Sequence, residues 1–446
     1  MEEKVKKPLY LAVFSVLIVI FAVLSKKIGF HDVGEYITFA KALVGINNVD
    51  LFVGHPMLYP WFISFFLKIS QSFTAIRVAN VIWVILISIT LYYLFNDKKA
   101  FLLFALSPLT WFAGTQTTPI LPAAFLFTLS FYFFKKSKIK YNQLISGFIL
   151  GLSCAVYTPM IIAAFFFTLI YFWNKQLKET IIFGISMFMG FIPGMVFDYL
   201  IFGNPIYSLI RYASTNLLIT LNMNSNITQG MILSHPEIFL LIIFISPFLF
   251  RLHKLKFKEN KNEILLLLIV GAFYLLRGGM LKYFIILSPI AIILLSKCLS
   301  KKEIKINLII SAIIIMIIAF QFISDTSDVK TQEDINNIIA DYKPTWIIAE
   351  PYNSIGISTF VWGNEPKVTE LEIFNSVLEG KDNFKEYSFL LQPTRVKLRD
   401  NVEFTAKFKV ENISYDNYIF VSKEKQDSIE RFNLDKCYSQ LCVYKD

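Results

Sequence analysis

Apolar and polar positions alternate along this chain on two different scales. Over most of its length, long apolar runs are separated by short breaks carrying charge, Gly or Pro. Runs of this kind approach or exceed the roughly 18–20 residues that cross a bilayer as a helix. Hydropathy predicts about eleven spans, near 8–25, 72–95, 100–113, 118–134, 142–157, 158–173, 180–201, 231–250, 263–277, 281–297 and 306–323. Several are short and joined through a brief break: GTQTTP at 114–119, YTP at 157–159 and RGGMLK at 277–282. Irregular backbone at membrane depth has to line a cavity or be covered by protein.

Two regions break this rhythm. The first is the loop at 26–71, after the opening span. From Val33 onward, apolar residues at 36, 37, 40, 43 and 44 share one helical face. This predicts an amphipathic helix lying along the membrane surface. A second amphipathic segment follows at VGHPMLYPWFISFFLKI, with Pro60 in its first turn, where proline is tolerated. The other region starts at Ser324, where the apolar runs shrink to strand length (TWIIAE, VEFTAKFKV, NYIFVS). The pattern therefore predicts a polytopic α-helical membrane protein. It divides into a transmembrane part at 1–323, with amphipathic helices in its first outer loop, and a small extracytoplasmic α+β domain at 324–446.

Composition agrees with the membrane assignment: 55% of residues are hydrophobic, above the roughly 45–50% of soluble domains. A net charge of +10 at first suggests a nucleic-acid partner. From Ser324 onward, however, 15 Lys and Arg face 21 Asp and Glu, which leaves 28 against 12 in the rest. The basic excess belongs to the membrane part, where it sets topology, and no nucleic acid is expected as partner. With a cytoplasmic N-terminus, inner loops hold about 20 basic residues and outer segments 8. This orientation predicts a multi-pass protein of the plasma membrane or ER membrane whose C-terminal domain lies outside. The sequons at Asn226 and Asn412 fall on that same side. The opening run lacks a small-x-small cleavage site and reads as an uncleaved span. Cys154 and Cys298 read as small core residues. Cys437 and Cys442 read equally as an extracytoplasmic disulfide or as two free thiols.

The candidate chemistry gathers in the first loop. Asp32 shares its stripe with Tyr36, Phe39 and Leu43, at the edge of the apolar face, while Glu35 points nearer the polar face. Asp32 and Glu35 fit a capping box. They also fit a general base poised at the membrane boundary, and a carboxylate can do both. His55 reads as a loop residue or a ligand. Arg277 and Lys282 flank a Gly-Gly turn that lets backbone approach a ligand, and they read as functional. Arg77 and Arg211 read first as snorkelling or solvated residues, and Asp198 as a partner for one of these cations. Four scattered His and no CxxC leave no metal cluster, so no cofactor is expected to be required. Lone loop carboxylates leave a divalent metal possible without supporting one.

Four stretches resemble the GT-C superfamily of membrane glycosyltransferases, in particular the protein O-mannosyltransferase and aminoarabinose transferase branch. They are DVGEYITFAKAL, GHPMLYPW, GFIPGMVFDYLIFGNPIYS and LKYFIILSPIAIILL. Asp32, Tyr36, His55 and Pro56 fall on the family's first-loop positions, and Lys282 falls where Arg is usual. Glu35 departs from the pattern by placing an acid before Tyr36, and the WWDYG motif of oligosaccharyltransferases is absent. The resemblance implies transfer of a sugar from a polyprenyl-phosphate-linked donor to a glycan, protein or lipid acceptor, within reach of membrane lipids. Asp32 and Glu35 would be catalytic. Tyr36, His55, Arg211, Arg277 and Lys282 would bind substrate. Two other classes remain open on the sequence: a transporter or flippase of lipid-linked saccharides, and a structural envelope protein acting through its outer domain.

Overall fold

A computed structural model describes residues 2–28, 33–46, 56–135, 141–174, 177–210, 212, 257–276, 281–349, 353–363, 366–370, 387–390, 403–406, 418–422 and 433–445. Helix α1 (Glu2–Leu24) is followed by two short helices, α2 (Val33–Leu43) and α3 (Leu58–Ile69). Helix α4 (Phe73–Ile89) starts at Ser72, whose side chain accepts from the Ala75 amide at 3.2 Å, and continues into a π-turn over Thr90–Leu94. Together they form one apolar rod, Phe73–Leu94, long enough to cross a membrane.

The span expected at 100–113 is a correction. It is two helices, α5 (Lys98–Ala105) and α6 (Pro108–Gly114), each too short to cross. Pro108 is the cause: it lacks the amide that would continue α5, and it pushes Ser107 out of helical backbone, to φ −76° and ψ 126°. Helices α7 (Ile120–Lys135), α8 (Asn142–Val156), α9 (Met160–Asn174) and α10 (Leu177–Phe202) follow, then α11 (Phe257–Leu276), α12 (Leu281–Cys298) and α13 (Lys301–Ser324). The span expected at 231–250 lies outside the described residues. Among the described residues, three stretches combine the length and apolarity of a crossing helix: Phe73–Leu94, Leu177–Ile201, and Lys301–Tyr342, which runs through α13. The remaining apolar helices have 10–17 residues, so the count of eleven spans is not established.

Helices α10 and α13 turn large apolar side chains outward, with Leu200, Met316 and Phe320 (75% exposed) among them. A face this apolar belongs in lipid. Behind it, α8 and α10 touch backbone to backbone: a Cβ at Gly151 would lie 1.8 Å from the Met187 carbonyl oxygen, and one at Gly190 2.0 Å from that of Phe148. Glycine at these positions is what lets the helices meet. The far ends of α7, α11 and α12 are tied by buried Glu263, which accepts from Lys135, while Lys297 donates to Asn260 at 2.6 Å.

After α13 come α14 (Ser327–Tyr342), β1 (Trp346–Ala349), α15 (Asn353–Phe360), β2 (Lys367–Glu370), β3 (Tyr387–Leu390), β4 (Glu403–Ala406), β5 (Tyr418–Ser422), β6 (Asn433–Cys437) and β7 (Cys442–Lys445). One sheet has the order β2-β1-β5-β7-β6; its β1–β2 and β1–β5 pairs are parallel and the others antiparallel. Strands β3 and β4 form a separate antiparallel ribbon. The three runs of strand character in the sequence are thus β1, β4 and β5. Cys437 and Cys442 form a disulfide across the β6–β7 hairpin, which settles the open choice between bridge and thiols. Cys154 and Cys298 are buried, as core residues.

Candidate functional site

The candidate site is built around α2, the helix that starts directly after Asp32. The chain entering it is fixed at the end of α1. Arg77, on the first turns of α4 and 6% exposed, donates through Nε to the Ala22 carbonyl (2.9 Å), through Nη1 to that of Lys27 (3.3 Å), and through Nη2 to the Thr74 hydroxyl (3.2 Å). Arg77 is therefore neither snorkelling nor solvated, which corrects the expectation: its guanidinium caps the C-terminal end of α1. The turn between α13 and α14 closes the same corner. The Ile28 amide donates to Asp328 (2.8 Å), and Lys27 pairs with Asp325 (2.6 Å). Partial burial pushes the Asp325 carboxyl up, but the Lys27 ammonium and the amide and hydroxyl of Ser327 outweigh it and hold it at about 2.

Helix α2 forms where the periodicity placed it, and protein covers most of it. Val33, Gly34 and every residue from Tyr36 to Lys41 are buried. The face expected to meet water is covered by protein, including α3 and residues of α15. Glu35 is half-buried in the first turn. On one side, Tyr36 meets the Tyr59 ring of α3 edge-on at 5.4 Å between centroids. Tyr59, 1% exposed, donates its hydroxyl to Asn80 Oδ1 at 3.2 Å. Asn80 Nδ2 donates onward to the carbonyls of Ala113 (3.2 Å), Gly114 (3.4 Å) and Gln116. The GTQTTP break thus sits in the interior, with Thr115, Gln116, Thr117 and Thr118 all buried. Its backbone is covered by protein, one of the two options open to irregular chain at this depth.

The other side of α2 carries a buried cation. Lys41 is 0% exposed. Its ammonium donates to the carbonyls of Ser358 (3.4 Å), Thr359 (2.5 Å) and Val361 (2.8 Å) and lies 4.1 Å from the centre of the Trp362 ring. Burial pushes this amine well below its ordinary range. Sequence reasoning missed Lys41, Asn80 and Tyr59. For Lys41 a signal was present: it follows Ile37 by four residues and so falls on the apolar stripe, where a lysine has no place unless it finds acceptors.

Of the predicted site residues, the structure brings together Glu35 and Tyr36. Asp32, His55, Arg211 and Arg277 lie outside the described residues. Lys282 opens α12, and its side chain also lies outside them. Asp198 does not pair with a cation among the described residues: its two carboxylate oxygens accept the Ser208 amide and hydroxyl, each at 2.8 Å. This closes the FGNP turn after α10. There Gly203, at φ +70°, reverses the chain and Asn204 accepts from the Ile206 amide.

A family model described as dolichyl-phosphate-mannose-protein mannosyltransferase matches residues 54–197, which take in α3, α4, the buried break and α7 to most of α10. Among solved structures, the chain is similar to the crystal structure of ArnT from Cupriavidus metallidurans bound to undecaprenyl phosphate. The identity is 10% and the TM-score 0.63, over 98% of this chain and 97% of that one. No curated protein matches the chain.

Proposed function

From a polytopic membrane chain with the GT-C fold, we propose a glycosyltransferase that moves a sugar from a polyprenyl phosphate to an extracytoplasmic acceptor hydroxyl. The observation that carries the reading is the end-to-end likeness to a fold solved with undecaprenyl phosphate, joined to a first-loop helix held rigidly behind Asp32. A donor on a lipid keeps its chain in the bilayer and its phosphate at the surface, and a first-loop helix at the membrane boundary meets it there.

In the proposed reaction, Asp32 takes the proton of the acceptor hydroxyl as its oxygen attacks the anomeric carbon. The bond from that carbon to the phosphate oxygen breaks, the configuration inverts, and polyprenyl phosphate leaves. Lys282 and Arg277 stabilise the charge growing on the departing phosphate. Tyr36, His55 and Arg211 contact substrate, and Glu35 assists Asp32 or touches the acceptor. The reaction as written uses no metal. The N-terminus is cytoplasmic and the C-terminal sheet lies outside, where its disulfide persists.

The test is incubation of the purified protein in vesicles with dolichyl- and undecaprenyl-phosphate sugars, reading release of free polyprenyl phosphate. Wild type should release it and Asp32→Asn should lose nearly all release. Full activity in Asp32→Asn would remove Asp32 from the role. Movement of labelled lipid across the bilayer without any sugar transfer would replace the enzyme by a flippase.

A further inference from the structure

The joint between α2 and the C-terminal domain is built from more than Lys41. The Gly363 amide donates to the Ile46 carbonyl at 3.1 Å, just past the end of α2. Phe73, at the start of α4, meets Phe360 at 5.6 Å and Trp362 at 5.1 Å, both edge-on. From the outer side, Gln332 of α14 donates to the Phe360 carbonyl (2.8 Å) and accepts the Trp362 indole N–H (3.2 Å). Residues 358–363 are thus gripped by α14 on one side and by α2 and α4 on the other. Among the described residues, the charge that enters the grip is the Lys41 ammonium, and it meets carbonyls at and just beyond the C-terminal end of α15, the negative end of that helix.

We infer that Lys41 is a positioning residue for sugar transfer: it clamps the 358–363 segment of the C-terminal domain, the end of α15 and the turn after it, onto α2 and so fixes the helix whose first turn follows Asp32. Helix α2 is only 11 residues long. Tyr36 anchors its first half on Tyr59 and Lys41 anchors its last turn, roughly 8 Å further along at 1.5 Å per residue. Lys41 and the Gly363–Ile46 hydrogen bond together hold the end of α2 farther from Tyr36, and Lys41 supplies three of these four hydrogen bonds. Because Lys41 touches no reacting atom, it acts through α2. The kinetic half of the inference rests on the glycosyltransferase reading above; the structural half does not.

The experiment uses the full chain in nanodiscs. Lys41→Met keeps an unbranched side chain one atom shorter and removes the ammonium, and Lys41→Arg keeps a cation. Hydrogen exchange is followed in peptides over 36–46 and 353–363, with α8 as internal control. In Lys41→Met, exchange should quicken about tenfold in both segments and stay unchanged in α8. With the polyprenyl-phosphate sugar that wild type uses, kcat should fall at least about tenfold while the donor KM stays within about threefold. Lys41→Arg should recover most of the protection and of kcat. Unchanged exchange at 353–363, or a loss carried wholly by KM, overturns the inference. Should Lys41→Met fail to fold, Gln332→Leu loosens the same segment from the outer side: exchange rising in 353–363 and also in 36–46 supports the coupling, and a rise confined to 353–363 overturns it. Wild-type protein that transfers no sugar would sink the proposed function, and the exchange measurements would then decide the clamp alone.

Discussion

Replacing Asn80 with Ala should cost more than any surface change in this chain. The amide sits at 1% exposure between α3 and the buried break. Its Oδ1 takes the Tyr59 hydroxyl, and its Nδ2 serves the carbonyls that end α6, Ala113 and Gly114, and that of Gln116 beyond. The Ala113 carbonyl also takes the Gln116 amide at 3.1 Å and the Gly114 contact is long at 3.4 Å, so the groups stranded outright are the Tyr59 hydroxyl and the Gln116 carbonyl. A buried polar group left without its partner costs about 1–3 kcal/mol, so two such groups put Asn80→Ala at about 2–6 kcal/mol. Against a typical total of about 5–15 kcal/mol, that is a large share. Tyr59→Phe strands less, chiefly Asn80 Oδ1, and should cost about 1–2 kcal/mol. The two changes share one hydrogen bond, so the double variant should be less destabilised than the sum, by about 1 kcal/mol. Thermal unfolding in detergent, followed by tryptophan fluorescence, measures all three variants. An Asn80→Ala cost below about 1 kcal/mol, or strict additivity with Tyr59→Phe, would refute the network as drawn.

Three further outcomes follow from the same packing. Gly151→Ala must move α8 away from α10, since its Cβ would sit 1.8 Å from a carbonyl oxygen, while Gly184→Ala meets nothing within 4 Å; unfolding assays should find the first costly by more than about 2 kcal/mol and the second neutral, or stabilising by up to about 1 kcal/mol. Arg77→Met strands the Ala22 and Lys27 carbonyls and should lower stability by about 2–4 kcal/mol, with Arg77→Lys recovering only part, because one ammonium cannot reproduce the planar fork. Asp325 is held at about 2, below its unfolded value, so its contribution is complete above about pH 4 and fades as pH falls toward 2; melting curves over pH 5 to 2 should be less steeply pH-dependent in Asp325→Asn than in wild type.

How much of this could be read along the chain depends on how many residues set each feature. Helix α2 and the Pro-bearing α3 were legible because periodicity and proline act locally. The broken span at 100–113 carried its signal in Pro108, which the hydropathy average passed over. The sheet's parallel pairing of β1 with β5 joins strands about seventy residues apart (Trp346 with Tyr418), and nothing in either strand names the other. Lys41, Arg77 and Asn80 are the instructive failures, and they share one cause. Each supplies donors to the C-terminal end of a helix: Arg77 to α1 at Ala22, Asn80 to α6 at Ala113 and Gly114, Lys41 to α15 at Ser358 and Thr359. A helix leaves its last four carbonyls without intrahelical partners. In water the solvent takes them; where helices end inside a membrane protein, a side chain must. Two of the three are cations, which also favour the negative end of the helix dipole. The sequence displays the donors, as polar residues standing on apolar stripes, and it displays the short helices that need them. Which donor serves which helix is decided by the crossing of elements up to about 320 residues apart, as in Lys41 with Val361. Hydropathy treats each residue singly and therefore carries no sign that these three are the condition on which helices can end in the interior around α2.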